Sequence, residues 1–299
     1  NTAYALQLGQ TCAEIVLVDV AAEAARGEAL DLTHGSAAVG PPSIKAGSYE
    51  DIAGSDVVVV TAGLRRRPDE SRLRLVERNA ALFRTVIGDL VAAAPDPDTI
   101  LLVVTNPVDV LTYLAATELG WPPARTIGLG TVLDTLRFRS LLGQRLEVDP
   151  ARIDGLILGE HGDSMVPVFS SLRYHGDPIT SLPGYSDHLA QETFAVARTA
   201  GAECLRLKGG AGYAVGLAVR EVVSAILNDT GAVLPVSTLH TSGDFQGVAL
   251  SLPTRVGRRG VQGVIPLTLS EDEHRALAHS AEVLRETVGR LGAGPEPTA

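Results

Sequence analysis

The spacing of apolar residues along the chain predicts alternating strands and helices in its first half. Three continuous apolar runs, at 14–19, 57–61 and 100–105, are typical of strands buried on both faces of a parallel sheet. Segments rich in helix-forming residues lie before, between and after these runs, at 3–9, 21–33, 73–94, 108–118 and 131–146, with a short strand at 125–129. This alternation predicts an α/β fold built on a doubly wound parallel sheet.

The pattern changes after about residue 150. Short strand-like segments come first, and long helices and an antiparallel strand pair follow, at 153–158, 165–173, 187–207, 211–228, 247–256 and 260–267. A last helix is expected over 271–291, because Ser270 followed three residues later by Glu273 has the spacing of a capping box. We therefore predict two domains, 1–150 and 151–299, of which the second is an α+β unit.

Composition and charge exclude several classes of protein. The chain has 299 residues, 45% of them hydrophobic, and a net charge of −10. An acidic chain is a poor non-specific binder of nucleic acid, and it offers no basic helix to a membrane surface. No apolar run approaches the roughly 18 residues of a membrane-spanning helix. The two cysteines, Cys12 and Cys204, have no metal-binding spacing, so we expect a reducing, cytoplasmic location and no metal.

Asp19 closes the first apolar run and is a candidate for cofactor binding. In a Rossmann-type sheet, a carboxylate at the end of the second strand accepts hydrogen bonds from the adenosine ribose. Val20 follows it instead of a basic residue, which favours NAD over NADP. The alternative is an aspartate that only caps the next helix. A glycine-rich phosphate loop is expected about 20 residues upstream. We therefore expect the first strand and that loop to be absent from this sequence.

Polar residues that could take part in catalysis or ligand binding cluster at three further places. His161 lies in Gly159–Ser164, directly after a strand-like run, where histidine could move a proton near neutral pH. A structural histidine is the alternative. Asp134 and Arg137 share one helix face and could form either an ordinary surface ion pair or a functional pair. The arginine-dense segment 65–72 could be a solvated charge run or could bind an anionic ligand.

Five ordered motifs together resemble one family. They are Val-Leu-Val-Asp at 16–19, Thr-Ala-Gly at 61–63 with Arg-Pro-Asp-Glu-Ser-Arg at 67–72, Thr-Asn-Pro-Val-Asp at 105–109, Leu-Asp-Thr-Leu-Arg-Phe-Arg at 133–139, and Gly-Glu-His-Gly-Asp-Ser at 159–164. In this order they resemble the L-lactate/L-malate dehydrogenase family across nearly the whole chain. The resemblance implies a dinucleotide-binding domain at 1–150, a catalytic domain at 151–299, and reversible oxidation of a 2-hydroxy acid by NAD.

The resemblance also implies roles for individual residues. His161 would accept the proton of the hydroxyl group, Asp134 would orient its ring, and Arg137 would bind the substrate carboxylate. Arg72 would lie on a loop that closes over the substrate and would polarise the carbonyl, and Asn106 would contact both substrate and cofactor. The residues expected to line the NAD site are Asp19, Tyr49, Ala62, Gly63, Asn79, Val104, Thr105 and Asn106.

Two positions bear on the substrate. Arg66 stands where lactate enzymes of the family have glutamine and malate enzymes have arginine, and it would pair with the second carboxylate of malate or oxaloacetate. Ala211 stands where malate enzymes tend to have alanine. We therefore expect a malate dehydrogenase. Two alternatives remain open: a lactate or broader 2-hydroxy-acid dehydrogenase, and a non-catalytic homologue that lacks the phosphate loop. The resemblance also implies a homodimer or homotetramer, with no nucleic-acid or membrane partner.

Overall fold

A computed structural model describes residues 1–292 except Pro41, Arg66, Pro68, Ala94 and Pro95. The side chains of Arg72 and Leu73 are also outside the description. Within the described residues, no helix has the length and apolar character needed to cross a membrane.

The first half of the chain alternates strands with helices. In chain order its elements are α1 (Thr2–Leu8), β1 (Glu14–Leu17), α2 (Ala22–Val39), β2 (Ser43–Ala46), β3 (Val57–Val60), α3 (Arg72–Ala92), β4 (Ile100–Val103), α4 (Val108–Thr117), β5 (Thr126–Gly128) and α5 (Val132–Leu146). Ser71 caps α3 by accepting a hydrogen bond from the Arg74 backbone N–H.

The second half begins with short strands and continues with long helices. Its elements are β6 (Ile153–Asp154), β7 (Ile157–Leu158), β8 (Val166–Pro167), β9 (Arg173–Tyr174), β10 (Asp177–Pro178), α6 (Asp187–Lys208), α7 (Tyr213–Leu227), β11 (Ala232–Leu239), β12 (Ala249–Gly257), β13 (Gly260–Val264) and α8 (Glu271–Gly292). The predicted capping box is present, since Ser270 and Glu273 exchange hydrogen bonds at the start of α8.

The largest sheet joins strands from both halves in the order β13-β12-β11-β5-β4-β3. Strands β3, β4 and β5 are parallel, while β11, β12 and β13 add antiparallel to the β5 edge. Strands β1 and β2 form a separate parallel pair. Because β3 to β5 are parallel, the loops that follow them lie at one edge of the sheet, and this edge carries the candidate site.

The two faces of β4 are buried under different helices. Ile100 and Leu102 pack in a cluster with α7, whereas Leu101 and Val103 point to the other face and pack against α3 and α4. All four side chains are buried, which explains why this strand has no polar alternation. The protein is therefore an α/β protein with a Rossmann-type sheet covered on both faces, followed by a second α/β region.

Most predicted elements are present, with differences in helix α2 and in several strands. Helix α2 continues to Val39, beyond the predicted end at residue 33. The predicted strand 153–158 is two short strands, β6 and β7, which belong to different sheets. The predicted strand 165–173 is also two short strands, separated by a 3-10 turn at Phe169–Ser171. Strands β2, β10 and β11 lie outside the predicted strands; β11 contains Pro235, which lacks an N–H donor and weakens a strand signal.

Candidate active site

Helix α5 supplies a carboxylate and a guanidinium to the site. Asp134 and Arg137 lie one turn apart, and Arg137 Nη1 donates a hydrogen bond of 3.0 Å to Asp134 Oδ1. The Asp134 side chain is 2% exposed and that of Arg137 15% exposed, so this is not a solvated surface pair. A guanidinium has five N–H donors, so the bond to Asp134 leaves most of this fork for another anion.

His161 meets the same carboxylate from the loop after β7. Its Nδ1 lies 2.5 Å from Asp134 Oδ2, so Asp134 uses one oxygen for Arg137 and the other for the imidazole. When Nδ1 donates to Asp134, Nε2 is the ring nitrogen left to exchange a proton with a ligand. The structure thus brings together three residues from two separate motifs, Asp134 and Arg137 from 133–139 and His161 from 159–164.

The backbone of the histidine loop is fixed by contacts on both sides. Gly159 has φ +83°, and it exchanges two backbone hydrogen bonds with Ser251 of β12. The next amide, Glu160 N–H, donates to the hydroxyl of Ser280 on α8 over 2.7 Å. The Glu160 carboxylate turns back and accepts hydrogen bonds from the backbone and hydroxyl of Ser164. These bonds close the loop around His161.

Charges around the imidazole shift two pKa values in opposite directions. Burial alone would lower the pKa of His161, but the Asp134 carboxylate raises it above the ordinary value of 6.5. Burial would likewise raise the pKa of Asp134, yet His161 and Arg137 together hold it below the ordinary value of 3.8. Both shifts favour a charged imidazolium–carboxylate pair.

Asp109 is a second carboxyl at the histidine, and no role for it follows from its sequence position. It lies in the first turn of α4 with 2% exposure, and its Oδ2 accepts a hydrogen bond of 2.8 Å from the His161 backbone N–H. Burial raises the pKa of Asp109 to about 6. The only available signal was its place at the end of the Thr-Asn-Pro-Val-Asp motif.

The residues predicted to line the cofactor site fall into two groups. Asp19, Ala62, Gly63 and Asn106 are exposed at or after the carboxyl ends of β1, β3 and β4. The exposed carboxylate of Asp19, whose Oδ1 accepts a hydrogen bond from Ala21 N–H, and the small residues after β3 fit a ribose and a dinucleotide backbone. The Ala62–Gly63 surface presents nothing larger than a methyl group to a ligand.

The other predicted cofactor residues are more buried and support the loops at this edge of the sheet. Asn79 is buried, and its amide accepts from Leu64 N–H and donates to the Asn106 carbonyl, so it ties two loops together. The Thr105 hydroxyl donates to the Ala62 carbonyl. Tyr49 lies in a 3-10 turn with its ring against the α3–α4 core, and burial there raises its pKa. Val104 is partly buried beside the opposite core cluster. Their direct contact with a cofactor stays a prediction.

Three further residues were predicted to bind substrate, and the structure describes only one of them in full. Arg66 lies outside the described residues, and of Arg72 only the backbone, at the first turn of α3, is described. Ala211 is exposed and lines, together with Arg137, a cavity of about 1070 Å³ between α5, α6 and α7. Neither His161 nor Asp134 is among the described residues that line this cavity.

Comparison with known proteins identifies the family. The lactate/malate dehydrogenase NAD-binding domain matches residues 1–128, and the α/β C-terminal domain of the same family matches residues 131–291. The chain is 44% identical to an L-lactate dehydrogenase of Synechococcus sp. over 97% of its length and 94% of the relative. It is 42% identical to the Gloeobacter violaceus L-lactate dehydrogenase, over 96% and 88% of the two chains.

Solved structures give the same result. The ligand-bound minor L-lactate dehydrogenase of Enterococcus mundtii superposes with a TM-score of 0.92 at 35% identity, covering 97% of this chain and 93% of the other. A lactate dehydrogenase from a Medee basin deep-sea metagenome library gives 0.91 at 34% identity, with 97% and 94% covered.

These findings contradict the prediction of a malate dehydrogenase. The relatives at 40–44% identity and the structural neighbours are named lactate dehydrogenases, which favours the lactate alternative. The prediction depended on the residue type of Arg66, supported by Ala211. Residue type alone does not fix where a loop charge lies relative to a substrate, and Arg66 lies outside the described residues.

Both halves of the chain match the corresponding halves of one family of NAD-dependent enzymes, and three of the five motifs that carried the resemblance meet around His161. The chain therefore belongs to the lactate/malate dehydrogenase family.

Proposed function

We propose that this protein is an NAD-dependent L-lactate dehydrogenase that interconverts L-lactate and pyruvate. The observation that carries the proposal is the 2.5 Å contact between His161 Nδ1 and the buried Asp134 Oδ2, with Arg137 on the same carboxylate. Proton transfer to a ketone needs an acid held in one orientation, and this arrangement provides one. The names of the relatives support lactate as the hydroxy acid.

His161 is the proposed proton donor in pyruvate reduction and the acceptor in lactate oxidation. The protonated ring donates from Nε2 to the carbonyl oxygen, and Asp134 balances the positive charge through Nδ1. NADH, when bound, supplies the hydride to the carbonyl carbon. In the oxidation direction the neutral ring receives the hydroxyl proton, and the same carboxylate stabilises the imidazolium that forms.

Arg137 is the proposed anchor for the substrate carboxylate. Its guanidinium is held by Asp134, so it can present a fixed fork to an anion without first losing much side-chain freedom. Arg72 as the residue that polarises the carbonyl and Asn106 as a contact to substrate and cofactor remain predictions from the family resemblance. The two-domain division near residue 150 is part of the same proposal.

A direct substrate comparison tests the proposal. NADH oxidation is followed at 340 nm, a wavelength set by the cofactor, with pyruvate and oxaloacetate supplied separately to the purified protein. We expect kcat/KM for pyruvate to exceed that for oxaloacetate by about tenfold or more. A preference for oxaloacetate would overturn lactate as the substrate. No turnover of either acid would overturn the dehydrogenase proposal itself, provided that NADH binding is first shown by fluorescence.

The assembly and location are also proposals. We propose a homodimer or homotetramer and a cytoplasmic location, the latter because both described cysteines are free. Light scattering coupled to size-exclusion chromatography tests the assembly, since a particle near the 31.2 kDa chain mass would contradict it.

A further inference from the structure

The backbone of His161 is held by a carboxyl that the proposed proton transfer does not use. Asp109 reaches from α4 to the His161 loop, and its Oδ2 lies 2.8 Å from the His161 backbone nitrogen. Asp109 and Asp134 thus contact the same residue on two sides, one at the main chain and one at the ring. The two carboxyls come from different helices, α4 and α5, so the histidine loop is fixed between them.

The second oxygen of Asp109 is buried without a hydrogen-bond partner among the described residues. The hydroxyl of Ser237 on β11 faces the carboxyl and lowers its pKa, but it lies outside hydrogen-bonding geometry. A buried carboxyl with an unsatisfied oxygen lowers the stability of the fold, so its presence calls for a functional explanation. The placement of this group beside the proton-transfer residue indicates such a purpose.

Several charged groups face this pair. The ring of His161 faces Asp134, Arg137 and Asp109; both carboxylates raise its pKa and Arg137 lowers it. Asp109 faces His161, which lowers its pKa, and Glu160, which raises it. Asp109 also borders a cavity of about 210 Å³ that is lined by Tyr113 of α4 and Arg285 of α8. Arg285 donates to Glu282 and to the Asp244 carbonyl.

We propose that Asp109 is a positioning residue that fixes the His161 loop through the backbone N–H and supplies a second negative charge to the imidazolium. This inference rests on the proposed role of His161 in proton transfer. The charge of Asp109 adds to that of Asp134 and keeps the imidazolium populated at a higher pH. By fixing the backbone, the hydrogen bond from His161 N–H to Asp109 keeps the imidazole where its Nδ1 contacts Asp134.

The variant Asp109→Asn separates the two effects, because the amide oxygen still accepts from His161 N–H while the charge is lost. The titration of the His161 ring is followed by nitrogen-detected NMR in the protein without substrate, with His161→Asn identifying its signal among the seven histidines. We expect its pKa to fall by about half to one unit in Asp109→Asn. The control Asp154→Asn removes an exposed carboxylate and should leave this pKa unchanged.

Kinetics give a second readout. In pyruvate reduction at about pH 8.5, kcat/KM of Asp109→Asn should fall by roughly three- to tenfold, with a smaller loss at about pH 6. A loss that is equal at both pH values, together with an unchanged pKa of the His161 ring, would show that Asp109 only packs. Such a result would overturn the inference.

The backbone amide of residue 161 supplies a test that does not depend on folding of an Asp109 variant. In His161→Asn the imidazole is absent, but the amide proton should still shift as Asp109 titrates near its pKa of about 6. If this amide proton does not shift as Asp109 titrates, the hydrogen bond between them is absent and the inference is wrong. Because both NMR measurements need no substrate, a failure of the enzyme to reduce pyruvate would count against the proposed function alone.

Discussion

Gly159 lies so close to Ser280 that a Cβ added to the glycine would come within 2.6 Å of the serine hydroxyl oxygen. Its φ of +83° is also one that other residues rarely adopt. We predict that Gly159→Ala lowers the free energy of unfolding by about 2–4 kcal/mol, because the backbone strain at positive φ and the steric overlap with Ser280 add. The position of His161 should shift with it, so kcat should fall.

A matched control separates strain from overlap. Gly176 has a similar φ of +86°, but an added Cβ there meets nothing within 4 Å. Gly176→Ala should therefore cost only the strain, about 1 kcal/mol, and should leave kcat unchanged. Urea denaturation and steady-state kinetics measure both quantities. Equal effects of the two substitutions would show that the contact with Ser280 is not important.

Replacement of the proposed proton donor should separate binding from turnover. We predict that His161→Asn keeps NADH binding but lowers kcat for pyruvate reduction by about 10³-fold or more, because no acid remains beside the ketone. Fluorescence titration with NADH and steady-state kinetics give the two quantities. The control His188→Asn removes an exposed histidine that pairs with Glu192 within α6, and it should retain full activity.

The rates of pyruvate reduction and of lactate oxidation should change with pH in opposite directions. Pyruvate reduction needs the imidazolium, so kcat/KM should be maximal below the pKa of His161, which lies above 6.5, and should fall as the pH rises through it. Lactate oxidation needs the neutral ring and should increase over the same range. Profiles that lack this crossing would contradict proton transfer by His161.

The raised pKa also stabilises the fold in one window of pH. Because the folded state holds the His161 proton more tightly, this contribution is fully present below 6.5 and is lost as the pH rises through the folded value.

Loss of the Asp134 charge should affect the histidine more than loss of the Asp109 charge. Asp134→Asn leaves the imidazolium without its direct partner and removes the ion pair with Arg137. We predict a fall of kcat by about 10²- to 10⁴-fold and a decrease in the pKa of His161. The pH profile of kcat/KM measures the second effect. An unchanged profile would mean that Asp134 only supports the helix.

Arg137 should bind the substrate by its shape as well as its charge. Arg137→Lys keeps one positive charge but loses the planar fork and the geometry of the bond to Asp134. We expect KM for pyruvate to increase by about 10- to 100-fold with a smaller change in kcat. Arg145→Lys, further along α5 and bonded to Glu192, is the control and should have no effect. A selective loss of kcat would place Arg137 in the chemical step instead.

The sequence by itself determined the alternation of buried strands and helices, because continuous apolar runs such as Ile100–Val103 have few structures open to them other than a doubly covered strand. It also indicated the family and the residues His161, Asp134 and Arg137, since the motifs keep their order along the chain. It did not determine the substrate, because the residue type of Arg66 does not say where its charge lies relative to a substrate.

Only the tertiary structure decided which groups meet. Asp134 and His161 are 27 residues apart, and Asp109 and His161 are 52 apart, yet both pairs are in hydrogen-bond contact. Such contacts form because the strands of the sheet end at one edge and α4 and α5 begin there. The role of Asn79 as a bridge between two loops, and the addition of β11 to the sheet, depend on the same long-range packing. No local pattern of polar and apolar residues contains that information.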